Sequence, residues 1–119
     1  MDVKTSDIVS KHYIYSLHGC KEINNNALLK KALKEACISA GATIVGEVEH
    51  EFTPQGYTCA FILAESHASI HAYPEHNFAY ADFFFCGKAI PELFQETLFT
   101  HLRPAYHTSQ FIDRSEHIS

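Results

Sequence analysis

The chain has no tryptophan, one methionine, five glycines and four prolines in 119 residues. So little glycine and proline excludes collagen-like and low-complexity architectures. No run of eighteen apolar residues occurs, so no membrane-spanning helix is expected. The first dozen residues, MDVKTSDIVSKH, lack the apolar stretch of a signal peptide, which leads to an expected cytoplasmic location. Positive charge is also scarce: nine Lys and Arg face fourteen Asp and Glu, a net charge of -5, and no basic patch invites nucleic acid. Cys20, Cys37, Cys59 and Cys86 form no C-x-x-C pair. That argues against a zinc ribbon and against a secreted disulfide frame, and four free thiols are expected.

What is present describes an ordinary globular domain, 46% hydrophobic and 19% charged, spanning residues 1–119 as one unit. Residues 1–9 read as a loose leader. Tyr13, Tyr15 and Leu17 alternate with His12, Ile14 and Ser16 in a first strand over 11–18. After Asn24-Asn25-Asn26, the residues Leu28, Leu29, Ala32, Leu33, Ala36 and Cys37 recur at helical spacing until Gly41 stops the helix. A second strand, 43–52, closes at the Pro54-Gln55-Gly56 turn. The nearly all-apolar stretch 57–64 reads as a central strand. Strands over 69–73 and 78–85 flank the Pro74–Asn77 turn, Pro91 opens a second amphipathic helix, and 106–112 is the last strand. The expected class is α+β, a two-layer sandwich of antiparallel sheet with both helices on one face and two similar β-α-β-β-like halves. The other sheet face carries aromatics such as Tyr80 and Phe84, which points to a homodimer packed sheet against sheet.

One stretch conflicts with a plain strand reading. Residues 65–86, ESHASIHAYPEHNFAYADFFFC, concentrate polar chemistry where a sheet prefers apolar alternation. Nine histidines in the chain call for a metal test. On a strand His67 and His71 share a face but stand about 13 Å apart, too far for one ion, so no metal site is expected. The segments Glu65-Ser66-His67, Ser69-Ile70-His71, Tyr73-Pro74-Glu75 and Asp82 followed by Cys86-Gly87, preceded by 41–46 (GATIVG) and 52–56 (FTPQG), resemble the S-adenosylmethionine decarboxylases, in their short prokaryotic pyruvoyl-dependent form. The likeness runs over residues 12–113, and several motifs fall in the right order and spacing.

That resemblance implies a proenzyme that cuts itself into a β chain, 1–65, and an α chain, 66–119. The Ser66 hydroxyl would attack the Glu65 carbonyl, and elimination and hydrolysis would leave a pyruvoyl group at position 66 as a covalent, self-made cofactor. An amide is a poor target, so such a site needs hydrogen bonds to the oxyanion and a base. The resemblance assigns His71 as the processing base, Thr58 as the hydroxyl that supports the acyl shift, and Cys86 as the proton donor in turnover. It further assigns Glu75 to the ribose hydroxyls of a small-molecule substrate and Phe52 and Tyr73 to its adenine. The ketone would take the substrate amine as a Schiff base and act as electron sink. Family members dimerise, with residues of both protomers lining each site. The chain departs from the family at Ala72-Tyr73-Pro74-Glu75, where relatives have Thr-Trp-Pro-Glu, and at 16–20 (SLHGC), where they carry an acidic residue. L-Ornithine or L-arginine therefore stands as the alternative substrate to S-adenosylmethionine, and an unprocessed binding paralogue as the alternative from another class.

Overall fold

Side-chain alternation decides which way each strand faces. The computed structural model describes residues 7–118. In chain order these form β1 (Asp7–Ile8), β2 (Ser10–His18), α1 (Asn26–Ser39), β3 (Ile44–Glu51), β4 (Tyr57–Leu63), β5 (Ser66–Tyr73), a 3-10 turn (Pro74–His76), β6 (Phe78–Cys86), α2 (Pro91–Leu102), β7 (Tyr106–Asp113) and β8 (Glu116–His117). Tyr15 and Leu17 of β2, Cys59 and Phe61 of β4, Ala68 and Ile70 of β5, and Phe83 and Phe85 of β6 all point to one side and are buried. Helix α1 covers them with Leu29, Leu33 and Ala36, and α2 with Phe94, Leu98 and Leu102. Phe94 stacks on Phe83 at 4.3 Å between centroids. Both helices thus lie on one face of an antiparallel sheet, as expected.

The main sheet has the order β3-β4-β5-β6-β2-β7, and β1 pairs with β8 in a separate two-stranded ladder. Three expectations are corrected. β4 is not central: it lies one strand in from the β3 edge, and Ile62 is exposed on its outer side. The middle of the sheet is β5 and β6, whose outer sides carry the polar residues. Residues 7 to 9 are not loose leader either, since β1 is held by β8 and Val9 O accepts from Gly87 N at 2.8 Å. That pairing spans more than a hundred residues of sequence, so no local pattern announces it. Residues 1–6 of the expected leader lie outside the described residues. The strand expected over 69–73 also begins earlier, at Ser66, which pairs with Phe85. All four cysteines are free. Among the described residues no helix is long and apolar enough to cross a membrane.

The helices begin and end where local chemistry dictates. Asn25 caps α1 by accepting from Leu28 N at 3.0 Å, and Pro91 occupies the first turn of α2, where its missing N–H costs nothing. Gly19 closes β2 at φ +68°, and a Cβ there would stand 2.8 Å from the Cβ of Ala105. Gly41 has φ +88° but open space around it. Gly19→Ala combines a left-handed backbone with a clash, so it should lower unfolding stability by about 1–3 kcal/mol. Gly41→Ala carries the backbone cost alone. Urea midpoints of the two variants should rank Gly19→Ala clearly lower.

Candidate active site

The β4–β5 connection is only Ala64 and Glu65, and it is held from two sides. Cys86, at the end of β6, donates its backbone N–H to the Glu65 carbonyl at 3.0 Å. Ser66 Oγ lies 3.7 Å from Cys86 Sγ, hydrogen-bonding distance for sulfur. On the other side Thr43, just before β3, accepts from Ala64 N at 2.8 Å and donates its own N–H to Glu65 Oε1 at 3.0 Å. The scissile carbonyl of the expected cut therefore already faces a backbone donor, with a hydroxyl and a thiol beside it. Glu65, Ser66 and Cys86 come together at this end of the sheet.

Thr58, His71, Phe52, Tyr73 and Glu75 also come together, at the opposite end of the same strands. Register places Thr58 across from His71, and Thr58 Oγ1 meets His71 Nδ1 at 3.0 Å. These two, with Phe52, Tyr73 and Glu75, line a cavity of about 320 Å³. Its volume falls at the low end of the range of roughly 300–1,000 Å³ typical of small-molecule sites. Phe52 is 51% and Tyr73 40% exposed, so both rings have free faces. Tyr73 is braced from behind by Phe78, with ring centroids 5.0 Å apart. Gln55 joins this wall. In the sequence it reads only as the middle of a Pro-Gln-Gly turn, and no pattern marked it as a site residue.

The two groups do not meet within one chain. His71 follows Ser66 by five residues on one extended strand, so the two Cα atoms stand about 16 Å apart at roughly 3.3 Å per residue. His71 cannot reach the serine of its own chain.

Between the two groups, on the helix-free face, lies a cluster assembled from three strands. His12 and His67 flank Phe84 from β2 and β5, and both direct Nε2 at Asp82 Oδ2, at 2.7 and 3.3 Å. Ser69 donates to the other carboxylate oxygen. These atoms are close enough for one divalent ion. Yet Arg114 Nη1 lies 3.5 Å from His12 Nδ1, and a guanidinium can only donate there. A metal-bound histidine needs that nitrogen to carry its own proton toward a carboxylate or carbonyl. The geometry fits a hydrogen-bonded chain, Arg114 to His12 to Asp82, better than an ion site. Burial alone would raise the Asp82 pKa, but the hydrogen bonds from Ser69 and His12 and the charge of His67 outweigh it and hold the carboxyl below its ordinary value.

The structure is similar to the crystal structure of the adenosylmethionine decarboxylase from Aquifex aeolicus VF5, with a TM-score of 0.80, 29% identity, and coverage of 89% of this chain and 90% of that one. The fold is that of a carboxy-lyase. A family profile described as S-adenosylmethionine decarboxylase matches residues 11–115. Proteins named S-adenosylmethionine decarboxylase proenzyme are similar along most of their length. One from Prochlorococcus marinus (strain MIT 9313) is 38% identical over 90% of this chain and 88% of its own, and one from Methanococcus aeolicus (strain ATCC BAA-1280 / DSM 17508 / OCM 812 / Nankai-3) is 40% identical over 82% and 86%. The chain belongs to the S-adenosylmethionine decarboxylase family.

Asp82 provides a stability test with a defined sign. Because its folded pKa is depressed, its contribution is fully present above the unfolded value of about 4 and is lost as pH falls through the lower folded value. Asp82→Asn should destabilise the protein by about 1–2 kcal/mol at neutral pH. The gap to the parent chain should close when urea unfolding is repeated progressively below pH 4.

Proposed function

We propose that the chain is a pyruvoyl-dependent S-adenosylmethionine decarboxylase that matures by cutting itself between Glu65 and Ser66, as a homodimer whose sites draw on both copies. The observation that carries the reading is the Glu65 carbonyl held by the Cys86 amide with Ser66 Oγ alongside. Attack by Oγ on that carbonyl forms a C–O bond, and negative charge grows on the oxygen that the Cys86 N–H already contacts. The C–N bond breaks, the serine proton passes to the departing nitrogen, and an ester joins the two chains. Removal of the Ser66 α-proton then expels the Glu65 carboxylate, leaving a dehydroalanine. Its imine tautomer takes up water and releases ammonia to give the ketone.

The base for that α-proton is His71 of the other copy. Two sheets packed by their helix-free faces about a two-fold axis would bring the Thr58–His71 pair of one onto the Ser66–Cys86 end of the other. The exposed aromatics on that face, Tyr80 at 46% and Tyr106 at 62%, are the surface such packing would bury. Thr58 holds Nδ1, which leaves Nε2 free to take the proton.

A pyruvoyl ketone supplies an electron sink for the carbanion left when carbon dioxide departs. The residues around it fit that role. Cys86 has its thiol beside position 66, placed to return a proton to the substrate carbon. Its amide and its thiol thus serve different steps. In the cavity, Phe52 and Tyr73 offer ring faces to an adenine, and Glu75 is an acceptor for ribose hydroxyls. A purine with its sugar accounts for both aromatic rings; ornithine or arginine would leave them without a partner.

Two measurements test the reading. The purified protein should run on denaturing mass analysis as fragments of 65 and 54 residues, and it should release carbon dioxide from S-adenosylmethionine. An intact chain of 13.4 kDa would overturn the maturation step, and release from ornithine or arginine alone would reassign the substrate. Sharing of sites has its own test. Ser66→Ala and His71→Ala should each stay uncut when expressed alone. Co-expressed with different tags, the His71→Ala chain should be cut by its partner's intact His71 while the Ser66→Ala chain is not. No cutting in the mixture would mean that each chain uses its own histidine.

A further inference from the structure

We infer that the Glu65 side chain is a positioning residue for self-cleavage: bonded to the Thr43 amide, it holds the scissile carbonyl against the Cys86 amide. The inference rests on the self-cleaving reading above and assigns a role to the acyl side of the bond that is cut.

The connection between β4 and β5 has two residues, Ala64 and Glu65, which lie between the two strands. Thr43 fixes both. Its carbonyl takes the Ala64 N–H at 2.8 Å and its N–H gives a bond to Glu65 Oε1 at 3.0 Å. The carbonyl of Glu65, the group to be attacked, is bonded from the opposite side to Cys86 N at 3.0 Å. The same residue is thus held through its side chain toward β3 and through its backbone toward β6. Turning the carbonyl off the Cys86 amide would strain or break the Thr43 bond, so the side chain restrains the one dihedral on which the acyl shift depends. No proton transfer is asked of the carboxylate. It serves as an acceptor, and a carboxamide oxygen at the same position accepts equally well.

That distinction makes the test sharp. The time course of cutting is followed by denaturing mass analysis for the parent chain, Glu65→Gln and Glu65→Ala, with urea midpoints recorded in parallel. Glu65→Gln should cut within about twofold of the parent rate. Glu65→Ala should keep a similar midpoint and cut roughly ten- to a hundredfold more slowly, the scale of a misplaced reacting group. Its uncut chain should resist hydroxylamine, because the linkage at position 66 is still an amide. In His71→Ala, by contrast, the chain should stall as an ester that hydroxylamine splits. Thr43→Pro, which deletes the donor but keeps the acceptor of Ala64 N, should slow cutting like Glu65→Ala. Parent-like cutting by Glu65→Ala would overturn the inference while leaving self-cleavage standing. Equal slowing in Glu65→Gln and Glu65→Ala would replace the tether with a role for the charge. A parent chain that never cuts would remove the cleavage reading and this inference with it.

Discussion

The register of β5 against its two neighbours is the constraint from which the rest follows. Antiparallel pairing with β6 sets the Cys86 amide against the Glu65 carbonyl, and pairing with β4 sets Thr58 across from His71. Side chains on a strand alternate with a period of two, so a slip of one residue would turn His67, Ser69, His71 and Tyr73 into the core and bring Ala68, Ile70 and Ala72 out. That exchange would bury three polar groups and a phenol beneath the helices while exposing the apolar wall they now cover. The burial of Ile70, Phe61 and Phe83 therefore does more than stabilise the sheet. It fixes the chemical residues to within one position on two strands at once.

Much of the site could be read from the sequence because its residues lie close together along the chain. Ser66, His71, Tyr73 and Glu75 fall within ten residues, and their order and spacing carried the family resemblance. The helix caps Asn25 and Pro91 and the alternation in β2 and β6 were legible for the same reason, since they depend on near neighbours. What could not be read depends on strand order. His12, His67 and Asp82 are separated by up to seventy residues and meet only because β2 and β5 both flank β6. The apolar run in β4 suggested a middle strand, yet one face of an inner strand beside an edge can also be apolar without being covered, as Ile62 is. Thr43 meets Glu65 through a backbone amide and Gln55 reaches the cavity wall from a turn, neither of which leaves a composition signal.

Strand order also decides what a cut at Glu65 would leave behind. β3 and β4 belong to the first fragment, β5 and β6 to the second, β2 to the first and β7 to the second. The first fragment's β2 is thus paired on both edges by strands of the second, and β1 and β8 add a further ladder between them. Separating the fragments would require breaking the β4–β5, β2–β6 and β2–β7 ladders and opening a core shared by α1 and α2. Unfolding and dissociation of such fragments would therefore be one event. New chain ends at such a cut would be free to do chemistry, because the sheet around them does not depend on the Glu65–Ser66 bond.

The separation of the two half-sites along β5 supplies the last link. Ser66 and Cys86 lie at one end, Thr58 and His71 at the other, with the Asp82 cluster between them and about 16 Å from serine to histidine. Within one chain Ser66 and the Glu65 carbonyl are neighbours along the backbone, while His71 stands too far along β5 to reach position 66. Were His71 the base for elimination, it would have to be supplied by a second folded copy, because the histidine of the same chain lies too far along β5. A chain with a misregistered β5 would present neither half to its partner, and one that is folded but alone would stop short of the ketone. On that mechanism the strand that builds the site would set the order of events: register first, the acyl shift within the folded chain second, elimination across paired copies last.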